Sequence, residues 1–369
     1  MMVAKMNDVG VRKESLLPVI GKKVLVVPLD WGLGHATRCI PVIYDLLNSG
    51  CEVIIGGSGL SLTLLRKEFP ELKHVLIRGS KVRIGVRGIQ IFQFFRHLFF
   101  FLRFVEKEHK SLEKIIDEIS PEVIISDNRY GLWTNRAHCI LITHQLRPIF
   151  PRYLFWFSPF ARRQILRWAS RFDEIWIPDE AGQNNLTGIL NWGVSIKGVV
   201  IRHIGLLSRF QQLEPEKIDP DLIPVPDILA MISGPEPQRK RFEKLLIRKL
   251  SDLPYRSVIL QGIPSASEIK KAASNVWLVS HLSSRHMLYL MKEASLIIAR
   301  GGYSTIMDLR VLEKKAVLVP TPGQPEQEYL CSRMQQLGYF TCIKQSEFGN
   351  IKILLTEKCR DRNSTEEKT

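Results

Sequence analysis

The chain has 369 residues, enough for two domains of ordinary size. Lysine and arginine outnumber aspartate and glutamate by 52 to 37, a net charge of +15, so an anionic partner is expected: nucleic acid, an anionic membrane surface or phosphorylated small molecules. The six cysteines (Cys39, Cys51, Cys139, Cys331, Cys342 and Cys359) form no CxxC pair and have no histidine cluster beside them, which argues against a disulfide framework or zinc module and for reduced thiols.

Residues 1–20 read as a loose arm without the apolar core of a secretory signal, and no apolar run approaches the roughly 20 residues of a membrane span. The expectation is a cytoplasmic protein. Residues 23–29 (KVLVVPL) form a first buried strand, and the loop Asp30-Trp31-Gly32-Leu33-Gly34-His35 leads to a helix from about Ala36 to Asn48. Glu52–Ile55 is a second strand, Leu60–Glu68 a helix and His74–Ile77 a third strand. Two such strand–helix units with short glycine turns predict a doubly wound parallel sheet, class α/β. The first glycine loop is an incomplete dinucleotide fingerprint with no carboxylate at a ribose position, which disfavours an NAD site.

Residues 81–110 break the pattern, with seven Phe among seven Lys or Arg. Phe94, Phe95, Leu98, Phe101, Leu102 and Val105 fall on one helical stripe. Either it faces the core, or it is an interfacial face whose aromatics insert and whose cations meet anionic lipid. Residues 121–126 form a strand ending at Asp127-Asn128-Arg129, and Cys139–Thr143 another, ending at His144-Gln145. Residues 147–171 form a second aromatic-basic block, with six Arg, no acid and seven aromatics. Two such blocks favour membrane-surface contact, through Phe94, Phe95, Phe99, Phe100 and Arg103 in the first and Trp156, Phe157, Arg162 and Arg163 in the second. RNA could use the same composition, but there is no RRM or KH pattern, so no nucleic-acid partner is expected.

Glu174–Pro178 is a strand, Asp179-Glu180 the expected start of a helix, and Lys197–Ile201 a further strand. Residues 206–226 are polar, proline-rich and aperiodic, and read as a linker between an N-terminal domain (21–205) and a C-terminal domain (227–350). A new sheet begins at Ile228–Ile232, ending at Ser233-Gly234-Pro235-Glu236-Pro237. A charged helix (238–250), strands at 257–261 and 276–280, His281-Leu282 and a helix at 284–293 follow. Residues 351–359 read as a last helix and 361–369 as a charged tail, together a C-terminal segment 351–369.

The stretch 294–330 carries the chemistry. A buried strand, Leu296–Ala299, meets the turn Arg300-Gly301-Gly302. Ser304-Thr305 open a helix carrying Asp308, a second strand spans 317–319, and after Pro320-Thr321-Pro322-Gly323 a helix presents Gln327-Glu328-Tyr329. A helix N-terminus after a glycine turn suits phosphate, because free N–H groups and the positive dipole end point the same way. A carboxylate farther along that helix suits a ribose diol. Arg, small, Gly, two residues, Thr, two residues, acid, followed by a proline-bounded loop and a Gln-x-Tyr, resembles the nucleotide-sugar site of the family 28 glycosyltransferases. That group includes the bacterial transferase adding GlcNAc to the peptidoglycan lipid intermediate. The chain departs from it at Asp308, where the family has Glu, and at Glu328, where it has a second Gln.

The resemblance implies two Rossmann-like domains facing a cleft, the GT-B architecture, with acceptor on the N-terminal domain and UDP-sugar on the C-terminal one. It implies phosphate contacts from Ser233, Gly234, Arg300, Gly301, Gly302, Ser304 and Thr305, a ribose contact from Asp308, and base reading near His281 and Leu282. Gln327 and Glu328 would meet the donor sugar. Gly32-Leu33-Gly34-His35 matches the family's Gly-x-Gly-His, so His35 is a candidate base for the acceptor hydroxyl, or a group that orients the loop or touches the diphosphate. Asp30 and Asp127 are alternative bases or orienters. No DxD motif sits in a suitable loop, and the architecture works without bound metal, so no metal or other cofactor is expected. The implied activity is inverting transfer from a UDP-sugar to a lipid or lipid-linked acceptor, by a cell-envelope enzyme peripherally bound at the inner membrane face. A UDP-sugar epimerase of the same architecture and a non-catalytic membrane adaptor remain as alternatives.

Overall fold

A computed structural model describes residues 19–30, 33–78, 91–234 and 236–350, without the side chains of 91–101, 349 and 350. Among the sequence readings, the arm before residue 19, Gly32, Pro235, the side chains of Phe94, Phe95, Phe99 and Phe100, and the segment 351–369 lie outside the described residues. The chain divides into two compact units, 1–209 and 210–369.

The first unit alternates strand and helix: β1 (Lys23–Pro28), α1 (Leu33–Asn48), β2 (Glu52–Gly57), α2 (Gly59–Glu68), β3 (Lys73–Leu76), α3 (Ile91–Ile119), β4 (Val123–Asp127), β5 (His138–Ile142), α4 (Ser158–Ala169), β6 (Glu174–Ile177) and β7 (Val200–His203). Its described strands form one parallel sheet in the order β3-β2-β1-β4-β5-β6-β7. Val24–Val27, Val123–Ile125 and Cys139–Ile142 are fully buried. Such unbroken apolar runs are what a sheet covered on both faces requires. Strand order reverses between β1 and β4, which makes their C-terminal ends the crevice where such sheets take ligands.

On α3, Val105, Leu112, Ile116 and Ile119 are buried at helical spacing, whereas Leu102 is 38% exposed. The stripe expected from Phe94 to Val105 is therefore not one uniform face at its described end. Glu108 lies within the buried stripe, and its carboxylate accepts a 2.6 Å hydrogen bond from Arg129 Nε. Arg129 also donates to the carbonyls of Ile77 and Arg78. A buried charge is tolerated only when paired in this way.

Two expectations fail in this unit. No helix begins at Asp179-Glu180: the buried Asp179 carboxylate accepts the N–H groups of Glu180, Leu186 and Thr187, and these local bonds hold the backbone in a loop ahead of a single 3-10 turn at Gly188–Leu190. The strand expected at 197–201 lies at Val200–His203. A turn in which Val199 N–H bonds the Ile196 carbonyl occupies its expected start, and pairing begins where Val200 N–H meets Asp173.

The second unit contains β8 (Ile228–Met231), α5 (Gln238–Ser251), β9 (Ser257–Leu260), β10 (Ile269–Ala273), β11 (Val276–Val279), α6 (Ser284–Glu293), β12 (Leu296–Ala299), α7 (Tyr303–Val311), β13 (Ala316–Leu318), α8 (Pro325–Gln336) and β14 (Thr341–Cys342). The order is β10-β11-β9-β8-β12-β13-β14, parallel except for the edge strand β10. The reversal here falls between β8 and β12. Strand β10 was not expected, because IKKAA lacks a buried apolar run; its lysines suit an exposed sheet edge. Residues 206–226 contain no helix or strand, but they are not a solvated connector. Leu206, Leu207, Phe210, Leu213, Ile218 and Ile223 are all buried.

Candidate active site

At the reversal of the first sheet, β4 ends in Asp127, which is fully buried. Helix α1 begins at Leu33, earlier than the sequence suggests, so Gly34 and His35 belong to its first turn. One turn on, Arg38 points from the same helix face onto Asp127. Its Nε donates to Oδ2 at 2.7 Å, and its Nη2 donates to Oδ1, a bidentate clamp. Arg38 Nη1 lies 2.8 Å from His144 Nδ1, and Nη2 lies 2.9 Å from His35 Nδ1. His35 Nδ1 is 3.4 Å from both oxygens of Asp127. Cys39 donates its thiol to Oδ2 at 3.7 Å.

Burial works to raise the Asp127 pKa, but the Arg38 charge outweighs it, with His35 adding to the effect, and the carboxyl stays far below the usual carboxylate range. His35 is lowered first by burial and then by the Arg38 charge, with Asp127 opposing. The imidazole is therefore neutral at pH 7 and Asp127 is ionised. Arg38 and His144 were not among the candidates. The signal in the sequence was the three-residue spacing from His35 to Arg38, which places both on one helix face. Asp30 serves elsewhere: Ser58 Oγ donates to it and Ser61 N–H approaches it at 3.4 Å. Its carboxylate thus sits at the N-terminus of α2, where negative charge is stabilised. His35 and Asp127 are brought together, while the described contacts of Asp30 go to α2.

At the reversal of the second sheet, Ser233 and Gly234 follow β8 and are exposed, and Arg300-Gly301-Gly302 follow β12. Arg300 corrects the sequence reading. Its side chain is 1% exposed, and Nη1 donates to the carbonyls of Val319 and Pro320 at 3.2 and 3.3 Å. Nη2 donates to Gln345 at 2.8 Å, and the guanidinium lies 3.8 Å over the Phe242 ring. Burial lowers its pKa to about 10. A guanidinium held this way pins the loop after β13 and is not aimed at a phosphate.

The two glycines divide their work. A Cβ on Gly301 would come 2.3 Å from Cys331 Sγ, so this glycine lets α8 pack against the turn. A Cβ on Gly302 would meet nothing within 4 Å. Gly302 is the N-cap of α7 and gives it no side-chain cap, so this helix end opens onto space. Ser304, Thr305 and Asp308 on α7 are partly exposed. Gln327 and Glu328 do not stand free for a sugar. Gln327 Oε1 accepts Thr321 N–H at 2.9 Å, its Nε2 donates to Gln324 at 2.6 Å, and Glu328 accepts Gly323 N–H at 3.3 Å. Both side chains fasten the proline-bounded loop. His281 and Leu282 follow β11, partly exposed. Among the described residues, no group of three or more His, Cys, Asp or Glu could hold a metal ion.

The second aromatic-basic block is an outer surface. Phe155 is 72% exposed, Phe160 66%, Trp156 56% and Tyr153 49%. Phe157 is half-buried and stacks on Phe160 at 6.2 Å. Arg152, Arg162, Arg163 and Arg167 surround them, exposed, as is Arg103 on α3. Ile189 and Trp192, which the sequence did not single out, are also exposed, on a turn whose Leu190 carbonyl accepts the N–H groups of Leu146 and Arg147. No helix among the described residues is long and apolar enough to cross a membrane.

Residues 270–368 match the glycosyltransferase family 28 C-terminal domain. An uncharacterized glycosyltransferase of Methanosarcina acetivorans is 24% identical over 362 residues, covering 88% of this chain and 86% of its own. Among solved structures, the kitacinnamycin glycotransferase superposes with a TM-score of 0.62 at 14% identity, over 94% of this chain and 92% of its own. A Streptomyces sp. SF2575 glycosyltransferase complexed with thymidine diphosphate gives 0.53 at 11% identity, over 92% and 96%. The two parallel sheets, each reversing beside its site residues, agree with these matches. The chain is a glycosyltransferase of the GT-B architecture, and its residues 270–368 resemble the C-terminal domain of the family 28 enzymes.

Proposed function

We propose that this enzyme transfers a sugar, with inversion and without a metal ion, from a UDP-sugar such as UDP-GlcNAc to a lipid or lipid-linked acceptor of the cell envelope. It does so while docked on the inner face of the cell membrane. The acceptor oxygen forms a bond to the anomeric carbon as the bond to the diphosphate breaks, the nucleoside diphosphate leaves, and the acceptor hydroxyl proton passes to His35, the candidate base. The donor half of this reading rests on the open N-terminus of α7. It lies at the strand-order reversal, where diphosphate oxygens would meet the positive end of the helix dipole, and Asp308 stands farther along the same helix. The thymidine diphosphate held by the Streptomyces relative supports a nucleoside diphosphate in a protein of this fold.

The lipid half is supported by the exposed aromatics Phe155, Trp156 and Phe160 among exposed arginines, in a block of sequence with no acid. Aromatic rings that insert and cations that meet phosphates make an interfacial anchor. Calorimetric titration with UDP, TDP and GDP, without and then with Mg²⁺, tests the donor. Binding of UDP alone without metal is the expected result, and TDP preference would reassign the base. Co-sedimentation with phosphatidylglycerol vesicles tests the docking. Trp156→Ser/Phe160→Ser is expected to release the protein, and unchanged binding overturns it.

A further inference from the structure

We infer that Arg38 is a positioning residue that holds His35 in the Nε2–H tautomer, so that in the free enzyme the imidazole is a hydrogen-bond donor and not a base. The inference rests on the reading that His35 faces the reacting atoms, and goes beyond it by assigning what the imidazole can do there. A guanidinium carries N–H groups only and accepts nothing. A ring nitrogen 2.9 Å from Arg38 Nη2 must therefore be the one without a proton, and that nitrogen is His35 Nδ1. The same reasoning fixes His144, whose Nδ1 is 2.8 Å from Nη1. Both rings then carry their proton on Nε2.

The alternative form places the proton on Nδ1, donated to Asp127, and leaves Nε2 as the basic lone pair. The two Asp127 oxygens are 3.4 Å from Nδ1, farther than the guanidinium. They are already engaged by Arg38 Nε and Nη2 and by the Cys39 thiol. His35 Nδ1 thus lies between an obligate donor and an obligate acceptor, and the donor is nearer. For His35 to take a proton at Nε2, Nδ1 must leave Arg38 and turn to Asp127 as a donor. Among the described residues, the charged and titratable groups acting on the ring are Arg38 from α1, Asp127 from β4 and His144 after β5. Burial and the Arg38 charge both keep the ring neutral at pH 7, which the tautomer assignment requires.

Long-range ¹⁵N–¹H correlation spectra of the whole protein labelled with ¹⁵N-histidine read the tautomer directly, and a His35→Asn spectrum assigns the resonance. At pH 7 we expect His35 with a bare Nδ1 and a protonated Nε2. A protonated Nδ1 overturns the proposal, and this measurement needs no variant of Arg38. In Arg38→Gln, if it folds, the proton is expected to move to Nδ1. The acidic limb of kcat/KM is expected to move up by about one pH unit, because a neighbouring positive charge is gone. An unchanged acidic limb and tautomer in folded Arg38→Gln would also count against it. Turnover retained in His35→Ala would instead show that the reading underneath is wrong, whichever tautomer is found.

Discussion

The two units repeat one plan, a parallel sheet whose strand order reverses beside a helix N-terminus, yet they fill that place in opposite ways. In the first, the crevice end of β4 holds a buried ion pair, Arg38 with Asp127, and two imidazoles gathered on its guanidinium. In the second, the turn after β12 is glycine, the helix end is open at Gly302, and the arginine of the motif is turned into the fold. A buried charge network sets protonation and geometry, whereas a helix N-terminus offers an anion the positive end of its dipole. One fold thereby carries two different arrangements, and the residue types at each strand-order reversal decide which.

The largest effect that would break this contrast is at Arg38. Arg38→Met leaves Asp127 buried without its counter-charge, and is expected to cost about 3–5 kcal/mol of stability by chemical denaturation. A loss below about 1 kcal/mol would mean that the carboxylate is neutralised in another way. Arg300→Met removes hydrogen bonds to neutral groups and keeps an apolar chain near Phe242, so a smaller loss of about 1–3 kcal/mol is expected, with UDP binding retained. Loss of UDP binding in a folded Arg300→Met protein would restore the phosphate role that the motif implies.

Gly301→Ala drives a methyl against Cys331 and is expected to cost about 1–3 kcal/mol, most of it recovered in Gly301→Ala/Cys331→Ala. Gly302→Val should leave the melting temperature unchanged and weaken UDP. The charge network also sets an acid dependence. The folded-state pKa of Asp127 is depressed, so its stabilisation is complete above the unfolded carboxylate range and is lost as pH falls through that range toward the lower folded value. Arg38→Met should flatten the stability profile below about pH 4. The smallest effect on the fold is expected on the outer surface, where Trp156→Ser/Phe160→Ser should change stability by under about 0.5 kcal/mol while reducing vesicle binding.

The sequence made the layout legible because parallel strands buried on both faces read as unbroken apolar runs, and glycine or polar residues mark where each ends. Strand β10 was hidden for the opposite reason, since an edge strand buries little and IKKAA carries no apolar pattern. The missing helix at Asp179-Glu180 shows the limit of local signals: Asp179 resembles a helix cap, but its carboxylate is buried and takes three loop N–H groups instead. At the sites, motif positions were visible and side-chain directions were not. Arg300 was legible as an arginine beside a phosphate-type turn. That it faces Phe242 and Gln345 depends on residues 58 and 45 positions away, which no local pattern shows. Arg38 was legible only as a neighbour of His35 on one helix face, because its role comes from Asp127 at the end of β4.

The most direct test of the account is calorimetric titration of UDP into the full chain and into Gly302→Val and Arg300→Met, without metal. We predict that the parent and Arg300→Met proteins bind UDP alike, and that Gly302→Val, folded as judged by its melting temperature, loses at least about tenfold in affinity, or roughly 1.4 kcal/mol. Equal binding by Gly302→Val, or no binding by the parent chain, would contradict the claim that the open end of α7 holds the diphosphate.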